Sequence, residues 1–321
     1  MIEAEPIIIG NTPVYGGQRQ TIELPLPRLY THNDITMPVR VVNGRPGPVR
    51  LFLTAAIHGD ELNGVEVVRR VLEQVPPARL TGALVAVPVV NVYGLIQQSR
   101  YLPDRRDLNR SFPGSRRGAL ASQLAHLVMK EIVSKCTHGV DLHTGSLHRT
   151  NLPQIRADLE DETVRQCALA FRAPVMLLAA SRDGSLRQAA SEAGVATIVY
   201  EAGEPQRFNE DAIDAGVRGV LRLMTQLQMI SDFNNGDVPE SLELDRSNWI
   251  RASHSGIFHL KAALGDRIKK RAIMGVITDA FGDSSVNVRA THDAVVIGHT
   301  NNPLVHRGDA IVHLGEVKRP G

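Results

Sequence analysis

Three apolar runs in this chain each end on a side chain that can bind a metal or move a proton. LFLTAAI runs into His58, GVDL into His143 and ATIVY into Glu201. Short aliphatic, β-branched runs of this kind read as buried strands. In open α/β sheets ligands gather beyond the carboxyl ends of the strands. Three such endings therefore point to one sheet whose strand ends converge on one site.

The surrounding pattern agrees. From about residue 48, strand-like runs at 49–57, 83–90, 140–142, 175–179 and 195–200 alternate with amphipathic stretches at 62–75, 118–134, 162–171 and 185–192. In the second of these, Leu120, Leu124, Leu127, Val128 and Ile132 fall at helical spacing. Residues 208–229 read as a further long helix. This order predicts an α/β domain with a mixed, mostly parallel sheet and flanking helices. Before residue 45, the alternating QTIELPL and MPVRVVNG are expected to add edge strands. The turn-rich stretch 231–240 reads as a linker. Beyond it come short strands at 286–290, 294–298 and 310–314, punctuated by Gly256, Gly265, Gly275, Gly282, Gly298 and Gly308. The expectation is a catalytic domain over 1–235 and a small, sandwich- or barrel-like all-β domain over 243–321.

Composition closes off several function classes. The chain has 321 residues, 43% of them hydrophobic and 22% charged, enough for a sizeable core. Its formal charge of +2, with Lys and Arg dispersed, gives no footprint for nucleic acid. No apolar run approaches the roughly 18 residues that would span a bilayer, and the N-terminus lacks the features of a signal peptide. Cys136 and Cys167 form no metal or redox motif. A cytoplasmic location is the expectation.

His58 and Glu61 sit three apart in HGDE, close enough to reach one ion from a turn between strand and helix. His143 would close the site from another strand. Two imidazoles and a carboxylate suit one Zn2+ that keeps a coordination position open for water, which makes the chain a metal-dependent hydrolase. Asp60, just before the helix, is expected to cap it. Asp141 shares a strand face with His143, and either orients that ligand or serves structure alone. A second cluster, DLNRSFPG at 107–114, follows Arg100, Arg105 and Arg106. Guanidinium forks bind carboxylates bidentately and a neighbouring Asn adds a neutral donor, so the loop reads as a substrate clamp.

HGDE, DLNRSFPG, DLHTGS and YEAG, in this order, resemble the succinylglutamate desuccinylase/aspartoacylase family, part of the wider zinc carboxypeptidase-like group. The motifs span roughly residues 48–230. The resemblance implies that His58, Glu61 and His143 hold zinc and that Glu201 is the general base and then the general acid. It implies that Asn109 and Arg110 grip a substrate carboxylate. Arg100 sits where the family has an arginine that polarises the scissile carbonyl. Its spacing to Asn109 is longer here than in aspartoacylase, so Arg105 and Arg106 stay open as alternatives. The tail is similar to a biotinyl/lipoyl-like sandwich, but the carrier lysine is not evident and no attached cofactor is inferred. A lid or a homo-oligomer contact is its expected role. Six histidines, His254, His259, His292, His299, His306 and His313, are scattered through it without a ligand motif.

The expected activity is zinc-assisted hydrolysis of a small carboxylate-bearing amide, an N-acyl amino acid or a relative of one. Two alternatives stand beside it: a carboxypeptidase-like activity on short peptides, and a non-catalytic binding protein on the same fold.

Overall fold

The structure, a computed structural model, describes residues 5–179, 183–231, 233 and 239–318. The chain starts with a ribbon of β1 (Ile7–Ile9) and β2 (Thr12–Val14), then β3 (Gln18–Leu26) and β4 (Ile35–Asn43). The α/β alternation follows as β5 (Arg45–Ala55), α1 (Asn63–Gln74), β6 (Thr81–Val87), α2 (Val92–Ile96), α3 (Leu120–Glu131) and β7 (His138–His143). It continues through β8 (Arg149–Ala157), α4 (Glu162–Phe171), β9 (Val175–Leu178), α5 (Leu186–Glu192), β10 (Ala196–Gly203) and α6 (Glu210–Gln226). The tail holds β11 (Leu242–Arg251), β12 (Gly256–Leu260), β13 (Arg267–Ile268), β14 (Ile273–Thr278) and β15 (Ser285–Arg289). It ends with β16 (Ala294–Thr300), β17 (Leu304–Val305) and β18 (Ala310–Val317).

Twelve strands form one sheet in the order β13-β16-β18-β11-β9-β8-β10-β7-β5-β6-β4-β3. Its centre, β6-β5-β7-β10, is parallel. In that centre Glu201 lies in register beside His143, so two of the three candidate residues meet at adjacent strand ends. β3 and β4 form the expected antiparallel edge. The reading of the sheet as mostly parallel holds only for its middle, and β8 is the reason. Only residues 144–148 separate it from β7, too few for a crossover helix, so the chain turns straight back. β8 then inserts beside β10, antiparallel to it and parallel to β9.

Helices cover both faces. α1, α4 and α6 bury stripes such as Val67, Val68 and Val71, or Ile213, Val217, Val220 and Met224, against one side. The i, i+3, i+4 spacing of these residues is what keeps them on one face. α3 and α5 pack Leu124, Val128, Leu186 and Ala190 against the other. Asp161 and Ser185 cap α4 and α5 by accepting from Val164 N and Gln188 N. Asp60 does not cap α1. The helix starts at Asn63 with Leu62 at the cap position, and the Asp60 side chain makes no capping bond.

The described tail is all-β, with a core of its own that includes Phe258, Met274, Ile277, Val296 and Leu314. It is also joined to the main sheet. β11 pairs in parallel with β9, and β16 pairs with β8 through Gly298–Thr300, so the tail extends the main sheet. Pairing of open backbone groups is the physical cause: β9 would otherwise be the sheet edge, and Arg149–Asn151 at the start of β8 extend past β9. Most of the linker expected at 231–240 lies outside the described residues. No helix among the described residues is long and apolar enough to cross a membrane.

Candidate metal centre

His58, Glu61 and His143 converge as expected, all three buried, with one potential ligand atom from each within 4.8 Å of the others. β5 carries the chain to the site and Ala56, with φ of 49°, turns it sharply just before His58. A left-handed non-glycine residue costs of order 1–3 kcal/mol and tends to occur at functional sites. Gly59 lets the HGDE turn press on the α2 backbone: a Cβ there would sit 1.9 Å from the Gly94 carbonyl carbon.

Glu61 lies between the imidazoles, with Oε1 2.7 Å from His58 Nδ1 and Oε2 2.8 Å from His143 Nδ1. Thr144 N donates to the same carboxylate at 3.2 Å. The outer ring nitrogens are held as well: His143 Nε2 meets Asp141 Oδ2 at 2.8 Å and His58 Nε2 meets Asp107 Oδ1 at 3.2 Å. Asp141 thus fixes the His143 ring, and Thr54 Oγ1 donates to Asp141 at 2.8 Å. Carboxylates on the far nitrogens aim both Nδ1 atoms at the same point, the arrangement a metal-binding histidine needs.

Electrostatics follow from this packing. Burial alone would lower the pKa of His143, but Asp141 and Glu61 outweigh it and hold the ring well above the ordinary value. His58 is likewise raised, by Glu61 and Asp107 against burial. Burial would raise Glu61, yet the two imidazoles keep it far below the usual carboxylate range. The three side chains therefore favour positive charge among them, which protonated rings supply beside the Glu61 carboxylate.

Asp107 links this centre to the arginine cluster, a role its place in the sequence did not reveal. Besides touching His58, it takes Arg100 Nη2 at 2.8 Å and accepts from Asn109 N at 2.8 Å. The latter bond caps a 3-10 turn over Leu108–Arg110. Asn109 Oδ1 accepts from Leu186 N, which leaves its amide nitrogen for the cavity. Arg100, Asn109 and Arg110 all line the cavity beside the three candidate ligands. Arg105 and Arg106 are exposed and do not.

That cavity measures about 660 Å³. Glu201 lies on its wall, its Oε2 accepting from Asn151 Nδ2 at 2.7 Å and its Oε1 3.4 Å from Arg156 Nη1. Both partners come from β8, the strand absent from the sequence reading. Pro153 in mid-strand and polar residues on the cavity side hide it. The tail completes the wall with Arg246, Trp249 and His313. Trp249 stacks on His313 at 4.5 Å and 8°, and the Arg149 guanidinium lies 4.7 Å from its ring centre. Period-two spacing of Arg149 and Asn151 just after DLHTGS was the available signal for this wall.

A buried His–Glu–His centre with a carboxylate on the wall of the same cavity, at the strand ends of a mixed α/β sheet, is the arrangement of a hydrolase. A sequence profile of the succinylglutamate desuccinylase/aspartoacylase catalytic domain matches residues 48–227, and the chain belongs to that family, whose members hydrolyse amide bonds. It is 25% identical over 298 residues to the N-alpha-acetyl-L-2,4-diaminobutyric acid deacetylase of Halomonas elongata, covering 88% of this chain and 86% of the relative. Its fold matches a succinylglutamate desuccinylase/aspartoacylase from Rhodobacter sphaeroides with a TM-score of 0.82 and 23% identity, over 94% and 96% of the two chains. The product-bound ectoine utilization protein EutE of Ruegeria pomeroyi matches with a TM-score of 0.83 and 21% identity, over 93% and 95%.

Proposed function

We propose that this protein is a zinc-dependent deacylase that hydrolyses the amide of a small N-acyl amino acid. The observation that carries the proposal is the meeting of His58, Glu61, His143 and Glu201 in one cavity that also presents guanidinium groups. Two nitrogen donors and one carboxylate, with orienting carboxylates behind the rings, suit zinc. When bound, zinc lowers the pKa of a water towards ~7 and polarises a carbonyl.

The chain's own residues do the rest. Asn109 and Arg110 grip the substrate carboxylate, which sets the amide beside Glu201. Glu201 takes a proton from the attacking water and returns it to the leaving nitrogen. Arg100 faces the oxyanion that develops on the carbonyl oxygen. It is the one arginine of the three alternatives on the cavity wall, which supports this assignment. The tail, residues 243–321 against a catalytic unit of 1–235, acts as a lid through Arg246, Trp249 and His313. A cavity bounded in this way favours a small amide over an extended peptide.

Turnover of N-acyl amino acids and short peptides by zinc-loaded protein tests this reading. Hydrolysis of at least one N-acyl amino acid, abolished by chelation and restored by zinc, is expected. Cleavage of peptides alone would move the assignment to a carboxypeptidase-like activity, and no turnover of either would favour a binding protein.

A further inference from the structure

The β8 wall carries two contacts that the mechanism above leaves unused, and they join the tail to the proposed base. Asn151 is 4% exposed and its amide nitrogen is 2.7 Å from Glu201 Oε2. Arg156 faces the other carboxylate oxygen at 3.4 Å. Each oxygen therefore has its own partner, and the carboxylate plane is fixed. Only the NH2 end of an amide can donate to a carboxylate, so Asn151 has one useful orientation.

That orientation is backed by the tail. Asn151 is in register with Gly298 of β16, and Gly298 is in register with His313 of β18. A Cβ on Gly298 would lie 2.9 Å from Asn151 Oδ1 and 3.1 Å from Thr150 O. The amide oxygen thus rests against bare backbone where no side chain fits. Two residues earlier on the same face, Arg149 lies over Trp249, which is itself stacked on His313. The tail therefore grips β8 at Arg149 and Asn151, two of the three β8 residues that line the cavity.

We infer that Asn151 is a positioning residue for Glu201 and that Gly298 holds it in place, so the tail acts on the chemical step as well as on access. A base displaced by about 1 Å from its productive position can cost on the order of 10²-fold in rate. The inference rests on the reading of Glu201 as the base.

The test uses the full zinc-loaded chain and the N-acetyl amino acid that it turns over fastest. Asn151→Ala should lower kcat roughly 10- to 100-fold, with KM, zinc content and melting temperature close to the parent's. Gly298→Ala should lower kcat in the same direction, and the double variant should be no worse than Asn151→Ala. Asn151→Ala should add nothing in the Glu201→Gln background, because groups that act as a unit are non-additive. Binding in that background is followed by the fluorescence of Trp249, the only tryptophan in the chain, and should not change. A normal kcat for Asn151→Ala, a loss that follows KM, zinc content or melting, or an additive loss in the Glu201→Gln background would each overturn the inference. Near-normal turnover by Glu201→Gln would instead remove the base itself, and the positioning role with it.

Discussion

The two walls of the cavity are built by opposite means. The candidate metal wall comes from short motifs at the ends of parallel strands, with His143 braced by Asp141 two residues before it and His58 by Asp107 at the start of the Leu108–Arg110 turn. The facing wall is assembled from far-apart segments: β8, β11 and β18 meet only because the tail adds its strands to the main sheet. The first wall is dense in paired charge and buried. The second is a cationic and aromatic surface, where Arg149, Trp249 and His313 stack in layers. The contrast teaches that one cavity can be built by local geometry on one side and by long-range pairing on the other.

Removing a ligand should damage one wall and spare the other. His143→Ala is expected to abolish tightly bound zinc and bring turnover to background while the Trp249 emission spectrum stays unchanged. Metal analysis of protein purified without chelator, read beside fluorescence, checks this. Stoichiometric zinc retained after loss of both His58 and His143 would break the comparison.

Arg110→Lys should come next in size. A lysine cannot reproduce a bidentate fork, and losing one partner of a desolvated charge pair costs on the order of 2–5 kcal/mol. Binding of the carboxylate substrate should weaken far more than binding of its neutral amide analogue, as paired KM measurements would reveal. Equal losses would make Arg110 a brace for its own loop.

Trp249→Ala sharpens the comparison from the tail side. It removes the ring under Arg149, and a cation–π contact of this kind contributes roughly 0.5–2 kcal/mol. KM should rise by a few-fold up to about 30-fold, with zinc content unchanged. A loss of zinc would mean that the two walls are not independent.

The strand endings and the convergence of His58, Glu61, His143, Glu201, Asn109 and Arg110 on one cavity were legible because each residue falls in a short contiguous motif. Helices such as α4 and α6 were legible through their spacing. β8 was not, since a proline and cavity-facing polar residues erase the apolar run that marks a buried strand. The roles of Asp107 and Trp249 were hidden for a different reason: both depend on partners brought close only by folding. The tail's attachment was hidden for the same reason, because backbone pairing between β16 and β8 leaves no trace in side-chain pattern.

The smallest effect concerns that attachment. Glu243 on β11 accepts from both Arg165 terminal nitrogens on α4, at 3.0 and 2.7 Å, and from Lys318 Nζ at 2.7 Å. Arg165 chiefly, and Lys318 after it, lower its pKa to about 2. A depressed carboxylate stabilises the fold above its unfolded pKa, and that contribution is lost as pH falls from about 4.5 towards about 2. A partly exposed network of this kind contributes up to about 1 kcal/mol. Glu243→Gln should lower the melting temperature slightly at neutral pH, and the gap to the parent should close across that window. A gap that persists below pH 2 would place the effect elsewhere.

The central claim is that Glu201 moves the proton beside a zinc held by His58, Glu61 and His143. Glu201→Gln keeps the shape and removes the base, so turnover measured with zinc content on the same sample tests it most directly. The account predicts one zinc per chain, near-normal KM and a kcat reduced by ~10²–10⁴-fold, the usual contribution of general acid–base catalysis. Near-normal kcat with zinc in place would contradict it.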